Sequence, residues 1–129
     1  MPPANNEESK YIIEITTEDE FNQLLKRSKA ILYFQVNWSI QERMSKRLLS
    51  QALWEIGILK MPVFKINARD QDQVYVENWL LKHGERQLEY YSGGSGETLL
   101  IESGKVIDYI RYPAQLGLEK LKEKIKSWQ

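Results

Sequence analysis

The chain has 129 residues, of which 42% are hydrophobic and 28% are charged, close to the averages of globular domains, so wholesale disorder is excluded. Eighteen Lys and Arg balance eighteen Asp and Glu, a balance that does not suggest a nucleic-acid binder. Because the chain contains no Cys and a single His, thiol chemistry, a disulfide scaffold and the usual structural zinc sites are excluded. No apolar run approaches the length of a membrane span, so composition predicts one globular domain outside the membrane.

The N-terminal residues 1–9 are polar, contain two Pro and lack the basic and apolar regions of a signal peptide. We therefore expect a flexible tail over 1–9, a single domain over 10–129 and a cytoplasmic location. Residues 11–15 have the β-branched and aromatic content of a short strand. Thr17 and Glu20 have the spacing of a capping box, which predicts a helix that begins there.

The second strand and helix patterns are the clearest of the chain. The apolar run 30–36 suits a strand that is covered on both faces. Ser39 and Glu42 repeat the capping-box spacing and predict the start of a long helix, which Gly57 ends. Its predicted apolar stripe consists of Met44, Leu48, Ala52, Leu53 and Ile56.

The second half of the chain contains a strand pattern at 61–66 and a weaker helical pattern at 74–84. Residues 90–96 have the composition of a flexible link, and 97–111 form a hairpin pattern around a Ser-Gly turn. An amphipathic helix over 118–128 ends the chain. The order β-α-β-α-β-α-β-β-α predicts an α/β domain with a mixed central sheet flanked by helices on both faces.

This order, with the residues around the second helix, resembles the thioredoxin-like family. The strand at 31–34, the turn at 37–44 and the long helix are similar to the family's strand, Trp-Cys-Gly-Pro-Cys-Lys-Met turn and active-site helix. The stretch 96–106 resembles the family's cis-Pro, Thr, strand and Gly turn. The resemblance covers about residues 11–128 and implies a thioredoxin-like fold, with an extended segment of roughly a dozen extra residues between Lys65 and the C-terminal hairpin.

Four residues differ from the family's active-site pattern, and these differences determine which reactions the chain can carry out. By the resemblance, Ser39 and Glu42 stand where the family has its two cysteines, Tyr33 where many members keep a buried acid, and Glu97 where the cis-Pro lies. A serine and a carboxylate form no disulfide, so thiol-disulfide oxidoreductase activity is excluded. We also expect a trans peptide bond before Glu97, because a cis bond before a non-proline residue costs about 2.5–4 kcal/mol.

Ser39 has two interpretations at the sequence level. As a helix cap, its hydroxyl accepts from a backbone N–H near Glu42. As a nucleophile, it would need a base, and the single histidine, His83, falls in the segment that the pattern places least well. The spacing favours the cap, and His83 fits the end of a helix better than a metal or acid–base role.

These observations lead us to expect a redox-inactive module, adaptor-like or chaperone-like, that binds a protein or peptide at the former active-site face. The alternative is a non-redox enzyme, or a binder of a small ligand or anion, that uses the helix N-terminus at Ser39. We expect no cofactor, metal, nucleic acid or membrane as a partner, and a homo-oligomer stays possible. The residues expected at the binding face are Trp38, Ser39, Ile40, Gln41, Glu42, Gly96, Glu97 and Thr98, with Tyr90 and Tyr91 in a possible contact loop.

Overall fold

The computed structural model of the protein describes residues 12–36, 39–57, 61–67, 74–82 and 94–129. Five strands and five helices follow one another within these ranges. They are β1 (Ile12–Glu14), α1 (Glu18–Leu25), β2 (Ala30–Gln35), α2 (Ile40–Ile56), β3 (Val63–Asn67), α3 (Val74–Leu81), β4 (Thr98–Glu102), β5 (Lys105–Ile110), α4 (Pro113–Leu116) and α5 (Leu118–Trp128). The expected N-terminal tail at 1–9 lies outside the described residues.

The strands form one mixed sheet in the order β1-β3-β2-β4-β5. β1 and β2 both pair with β3 in parallel, whereas β4 pairs antiparallel with β2 and with β5. The parallel pairs follow from the two early βαβ units, and the antiparallel pair β4–β5 is the predicted hairpin around Ser103 and Gly104. The expected mixed α/β architecture is therefore confirmed.

The core has two layers, one on each face of the sheet. Successive side chains of β2 point to opposite faces, so Leu32 and Phe34 join one layer while Ile31 and Tyr33 join the other. α1 and α3 cover the first face, and α2 and α5 cover the second. Every residue of β2 is buried, as the continuous apolar run predicted.

The two predicted helix starts are confirmed. Thr17 caps α1 in a complete capping box, in which its hydroxyl accepts from the Glu20 N–H at 3.2 Å and the Glu20 carboxylate accepts from the Thr17 N–H at 3.1 Å. α2 begins after Ser39 and ends at Gly57. None of the helices in the described ranges is long and apolar enough to cross a membrane.

The predicted apolar stripe of α2 is only partly correct. Ala52 and Leu53 are buried, but Met44 is 50% exposed. The first turns of α2 instead bury two polar residues, Glu42 and Ser45, which hydrophobic periodicity does not detect. The candidate site lies at this end of α2, where the buried face of the helix consists of polar side chains.

Candidate functional site

The candidate site lies where β2 ends and α2 begins. Ser39 is the N-cap of α2, and its hydroxyl accepts from the Glu42 N–H at 3.2 Å. Glu42 is completely buried, and its Oε1 accepts from the backbone N–H of Val36 at 3.1 Å. Ser39 and Glu42 stand where the thioredoxin-like family, by the resemblance, has its two cysteines. Here Ser39 caps a helix, and the Glu42 carboxylate accepts a hydrogen bond at the end of β2.

Residues 94–97, named here the latch loop, are held against α2 by two serine hydroxyls. The Ser39 hydroxyl donates to the carbonyl oxygen of Gly94, and the Ser45 hydroxyl donates to the carbonyl oxygen of Ser95 at 2.8 Å. The Ser45 hydroxyl also accepts from the Ala114 N–H at 3.2 Å. Ser45 therefore joins α2, the latch loop and the start of α4, and each bond satisfies a backbone group that would otherwise be costly to bury.

The close approach of the latch loop to α2 depends on Gly96. Gly96 has a φ of +79°, and a Cβ atom built there would lie 2.6 Å from the Ser45 Cβ and 2.9 Å from the Tyr33 hydroxyl oxygen. Tyr33 is fully buried and donates to the carbonyl oxygen of Glu42 at 3.0 Å. The loop is thus packed without space for a side chain at this position.

Glu97 follows the close approach and is 1% exposed. Its Oε1 accepts from the Ser95 N–H at 3.2 Å, whereas its Oε2 is buried and has no hydrogen-bond partner among the described residues. The Glu97 carbonyl oxygen accepts from the Phe34 N–H at 3.0 Å, which aligns the latch loop with β2. The peptide bond before Glu97 is trans, as predicted.

Burial raises the pKa of the Glu97 carboxyl, against the lowering effects of backbone N–H groups in the latch loop and of the Arg111 charge. A raised pKa in the folded state means that the folded protein keeps the Glu97 proton at a pH where the unfolded chain has lost it. The Glu97 contribution to stability is therefore present in full below the unfolded pKa, and it is lost as the pH rises through the folded pKa.

The substitution Glu97→Gln is expected to abolish this pH dependence, because an amide does not ionise. Between pH 5 and 7.5, the free energy of unfolding of the wild type should fall relative to that of Glu97→Gln as the pH rises. Glu20, Glu55 and Asp108, whose pKa values are lowered, titrate below this window and do not mask the effect. Urea unfolding at a series of pH values measures the difference, and a constant difference between the two proteins would contradict it.

The structure buries most of the residues expected at the binding face and leaves two of them accessible. Ile40 is 69% exposed and Gln41 is exposed beside it. Trp38, His83, Tyr90 and Tyr91 lie outside the described residues. The buried residues of the expected face are Ser39, Glu42, Gly96, Glu97 and Thr98.

Sequence reasoning missed Ser45 and Met44. Ser45 was overlooked because an isolated serine in a helix carries no motif; the only signal was its position one turn after Glu42, on the same helix face. Met44 was assigned to the core because it is apolar, although it lies one turn after Ile40 and shares its exposed face.

The site offers little to a substrate or metal ion. The Ser39 hydroxyl donates to a carbonyl oxygen, which cannot remove its proton, so this contact does not activate it as a nucleophile. Within the part of the chain that the structure describes, no group of three or more His, Asp or Glu residues could hold a metal ion. The arrangement is that of a closed, hydrogen-bonded contact between a helix and a loop.

Comparisons with known proteins show that this chain is similar to others in its structure and not in its sequence. No protein-family profile matches the sequence, and no curated protein matches it. Several thioredoxin structures match with probability 1.00, and three of them are described here. Thioredoxin from Trypanosoma brucei brucei has a TM-score of 0.59 and 16% identity, over 98% of this chain and 97% of that one. A mutant thioredoxin from Halobacterium salinarum has a TM-score of 0.61 and 16% identity, over 95% of each chain. A thioredoxin from Nicotiana alata has a TM-score of 0.61 and 14% identity, over 95% and 96%.

Proposed function

Because the chain has a thioredoxin fold and no cysteine, we propose that it is a redox-inactive module that binds a protein or peptide beside the former active site. The observation that carries this proposal is the exposure of Ile40, which is 69% accessible at the first position of α2. Met44, one turn later, is 50% exposed, so the two side chains form a small accessible apolar area. Accessible apolar side chains beside a rigid, hydrogen-bonded contact are suited to protein recognition.

Burial of the polar groups supports a binding role over an enzymatic one. A general acid or base has to reach a substrate, but Glu42 and Glu97 are 0% and 1% exposed. The N–H of Glu42 at the start of α2 is already bonded to Ser39, and the Glu42 carboxylate would repel an anion there. The alternative of a non-redox enzyme or anion binder therefore has less support. The expected cytoplasmic location, and the expected lack of nucleic-acid, membrane and cofactor binding, stay predictions.

The substitution Ile40→Asp tests the proposal. An acidic residue in the first turn of a helix is favoured by the helix dipole, so the fold should be retained while the apolar contact is replaced by a charge. Ile107→Asp on β5 is the matched control, because Ile107 is also an isoleucine and is 54% exposed at an edge of the sheet. Circular dichroism establishes that both variants are folded.

The measurement is capture from extract of the source cells on the immobilised full chain, quantified by mass spectrometry. A bound protein should be recovered equally by the wild type and by Ile107→Asp, and at least about tenfold less by Ile40→Asp, which corresponds to a loss of about 1.4 kcal/mol. Equal recovery by all three proteins would place the contact elsewhere and refute the proposed site.

A further inference from the structure

The helix α3 is apolar on its outer side as well as on the side that packs on the sheet. Val76, Trp79 and Leu80 are buried in the first core layer. On the opposite side, Val74 and Leu81 are 53% and 51% exposed, and their seven-residue spacing places them in line along the helix. A helix that covers a sheet usually has a polar outer side, whereas one that is apolar all round is covered all round. The outer side of α3 therefore has the composition of a contact surface.

The helix α1 extends this surface, because it lies beside α3 and runs in the same direction. Phe21 packs against Tyr75 and Trp79, with ring centroids 5.5 and 5.4 Å apart. Near the end of α1, the Leu25 carbonyl oxygen lies 3.3 Å from a Cβ atom built at Gly104. Near the end of α3, the Trp79 indole N–H donates to the Gly104 carbonyl oxygen at 3.3 Å. The outer surface of the two helices is named here the α1–α3 face. Its accessible residues include Glu18, Asn22, Val74, Asn78, Leu81 and Lys82.

The α1–α3 face is acidic at one end and basic at the other. Glu18 and Asp19 are exposed in the first turn of α1, at the end where α3 also begins. Lys26, the C-cap of α1, and Lys82, which follows α3, are exposed at the opposite end. Within the ranges that the structure describes, none of these four side chains forms an ion pair. Their charges are therefore accessible to a partner surface with the opposite order of charge.

Three other charged residues border the α1–α3 face. Glu20 closes the capping box and accepts from the Thr17 N–H at 3.1 Å. The Arg27 guanidinium lies at the basic end, with its Cζ 5.5 Å from the centroid of the Phe64 ring. Glu77 is exposed on the side of α3 that faces away from the groove between the helices. Glu20 and Arg27 have the sign of the end at which they lie, and Glu77 is a negative charge near the middle.

We infer that a second copy of the chain covers the α1–α3 face, in a symmetric dimer in which α3 packs antiparallel on α3 of the other copy. A two-fold axis across the middle of α3 places Val74 against Leu81 of the second copy, and Leu81 against its Val74. The same axis brings Lys82 next to Glu18 of the second copy at both ends of the contact. Asn78 meets Asn78 of the second copy near the axis, where each amide can donate and accept a hydrogen bond. The face is thus complementary to itself in shape of pattern and in charge.

The two Glu77 side chains oppose this dimer, because the axis brings them near each other. They lie at the edge of the contact, where solvent and salt screen their repulsion. Two contacts between Glu18 and Lys82 and the apolar contact along α3 act in the opposite direction. The inference goes beyond the proposed function and is independent of it, since Ile40 belongs to α2, which covers the other face of the sheet.

A small ligand and a membrane are poorer occupants. The groove between α1 and α3 has a volume of about 310 Å³, at the lower end of sites that hold small molecules. Leu81 does not line this groove, so a ligand there would leave its side chain exposed. An anionic membrane would repel Glu18 and Asp19. A second copy covers Leu81 and brings an opposite charge to each end.

The test exchanges the charges of the two ends in the full chain. Glu18→Lys and Lys82→Glu should each weaken the dimer at least about tenfold, because both contacts then join like charges. In an equimolar mixture of the two variants, the mixed dimer has opposite charges at both contacts. Its dissociation constant should therefore return to within about threefold of the wild-type value. Sedimentation equilibrium at low salt measures the constants, and native mass spectrometry with one variant isotope-labelled identifies the mixed dimer.

Two further variants assign the contact to a face of the sheet. Leu81→Asp should weaken the dimer at least about tenfold, since it puts a charge into the apolar contact. Ile40→Asp, on the other face, should dimerise as the wild type does. A wild type that stays monomeric up to about 500 µM overturns the inference. It is also overturned if the mixture dimerises no better than the single variants, or if Ile40→Asp weakens the dimer as much as Leu81→Asp. Its failure leaves the proposed function intact, because capture of a partner through Ile40 is measured separately.

Discussion

Replacing Gly96 by Ala is expected to destabilise the protein by about 2–6 kcal/mol, because backbone strain and a steric collision add to each other. An Ala at a φ of +79° costs about 1–3 kcal/mol in backbone strain alone. Its Cβ would also lie 2.6 Å from the Ser45 Cβ, and forcing atoms apart in a packed core costs about 1–3 kcal/mol more. Denaturant unfolding followed by circular dichroism measures the loss.

Gly57→Ala is the matched control for this experiment. Gly57 has a φ of +86°, close to that of Gly96, but a Cβ there would have no atom within 4 Å. It therefore reports the backbone strain without the collision, at about 1–3 kcal/mol. If the two alanine variants lose the same stability, the latch loop does not pack against α2 as described.

Ser45→Ala is expected to cost about 2–4 kcal/mol. The hydroxyl that it removes donates to the Ser95 carbonyl oxygen and accepts from the Ala114 N–H, so two partly buried backbone groups lose their partner. Leaving a buried polar group unsatisfied costs about 1–3 kcal/mol. Thermal and urea unfolding give the magnitude.

Ser127→Ala provides the comparison for this second substitution. Ser127 is exposed, and its hydroxyl donates to the Lys124 carbonyl oxygen within α5, so its loss should change stability by less than about 0.5 kcal/mol. A loss for Ser45→Ala that is no greater than for Ser127→Ala would show that the bonds to the latch loop contribute nothing.

The fold could be predicted from the sequence because its signals are local and repeated. The continuous apolar run of β2, the caps at Thr17 and Ser39 and the Ser-Gly turn each define one element within a few residues. The order of these elements along the chain then limits the strand orders that the sheet can adopt to a few. The short helix α4 (Pro113–Leu116) was missed, since four residues contain no period to detect.

The site could be predicted only in part, because burial there depends on contacts between distant residues. The spacing of Ser39 and Glu42 predicts a cap, but their burial depends on the latch loop, which begins 55 residues after Ser39. Sequence patterns equate burial with apolar side chains, so they cannot place Glu42 and Glu97 in the interior or Met44 in water. The accessible face of α2 is set by which side of the helix packs on the sheet, and the sequence pattern alone does not define that side.

The latch loop has a consequence for how freely its sequence can vary. The hydroxyls of Ser39 and Ser45 bind the carbonyl oxygens of Gly94 and Ser95, which are groups of the main chain. Every amino acid supplies such a carbonyl, so α2 recognises the path of the loop and not the side chain of Ser95. Substitutions at position 95 can therefore accumulate without breaking the contact, whereas positions 39 and 45 each require a hydroxyl.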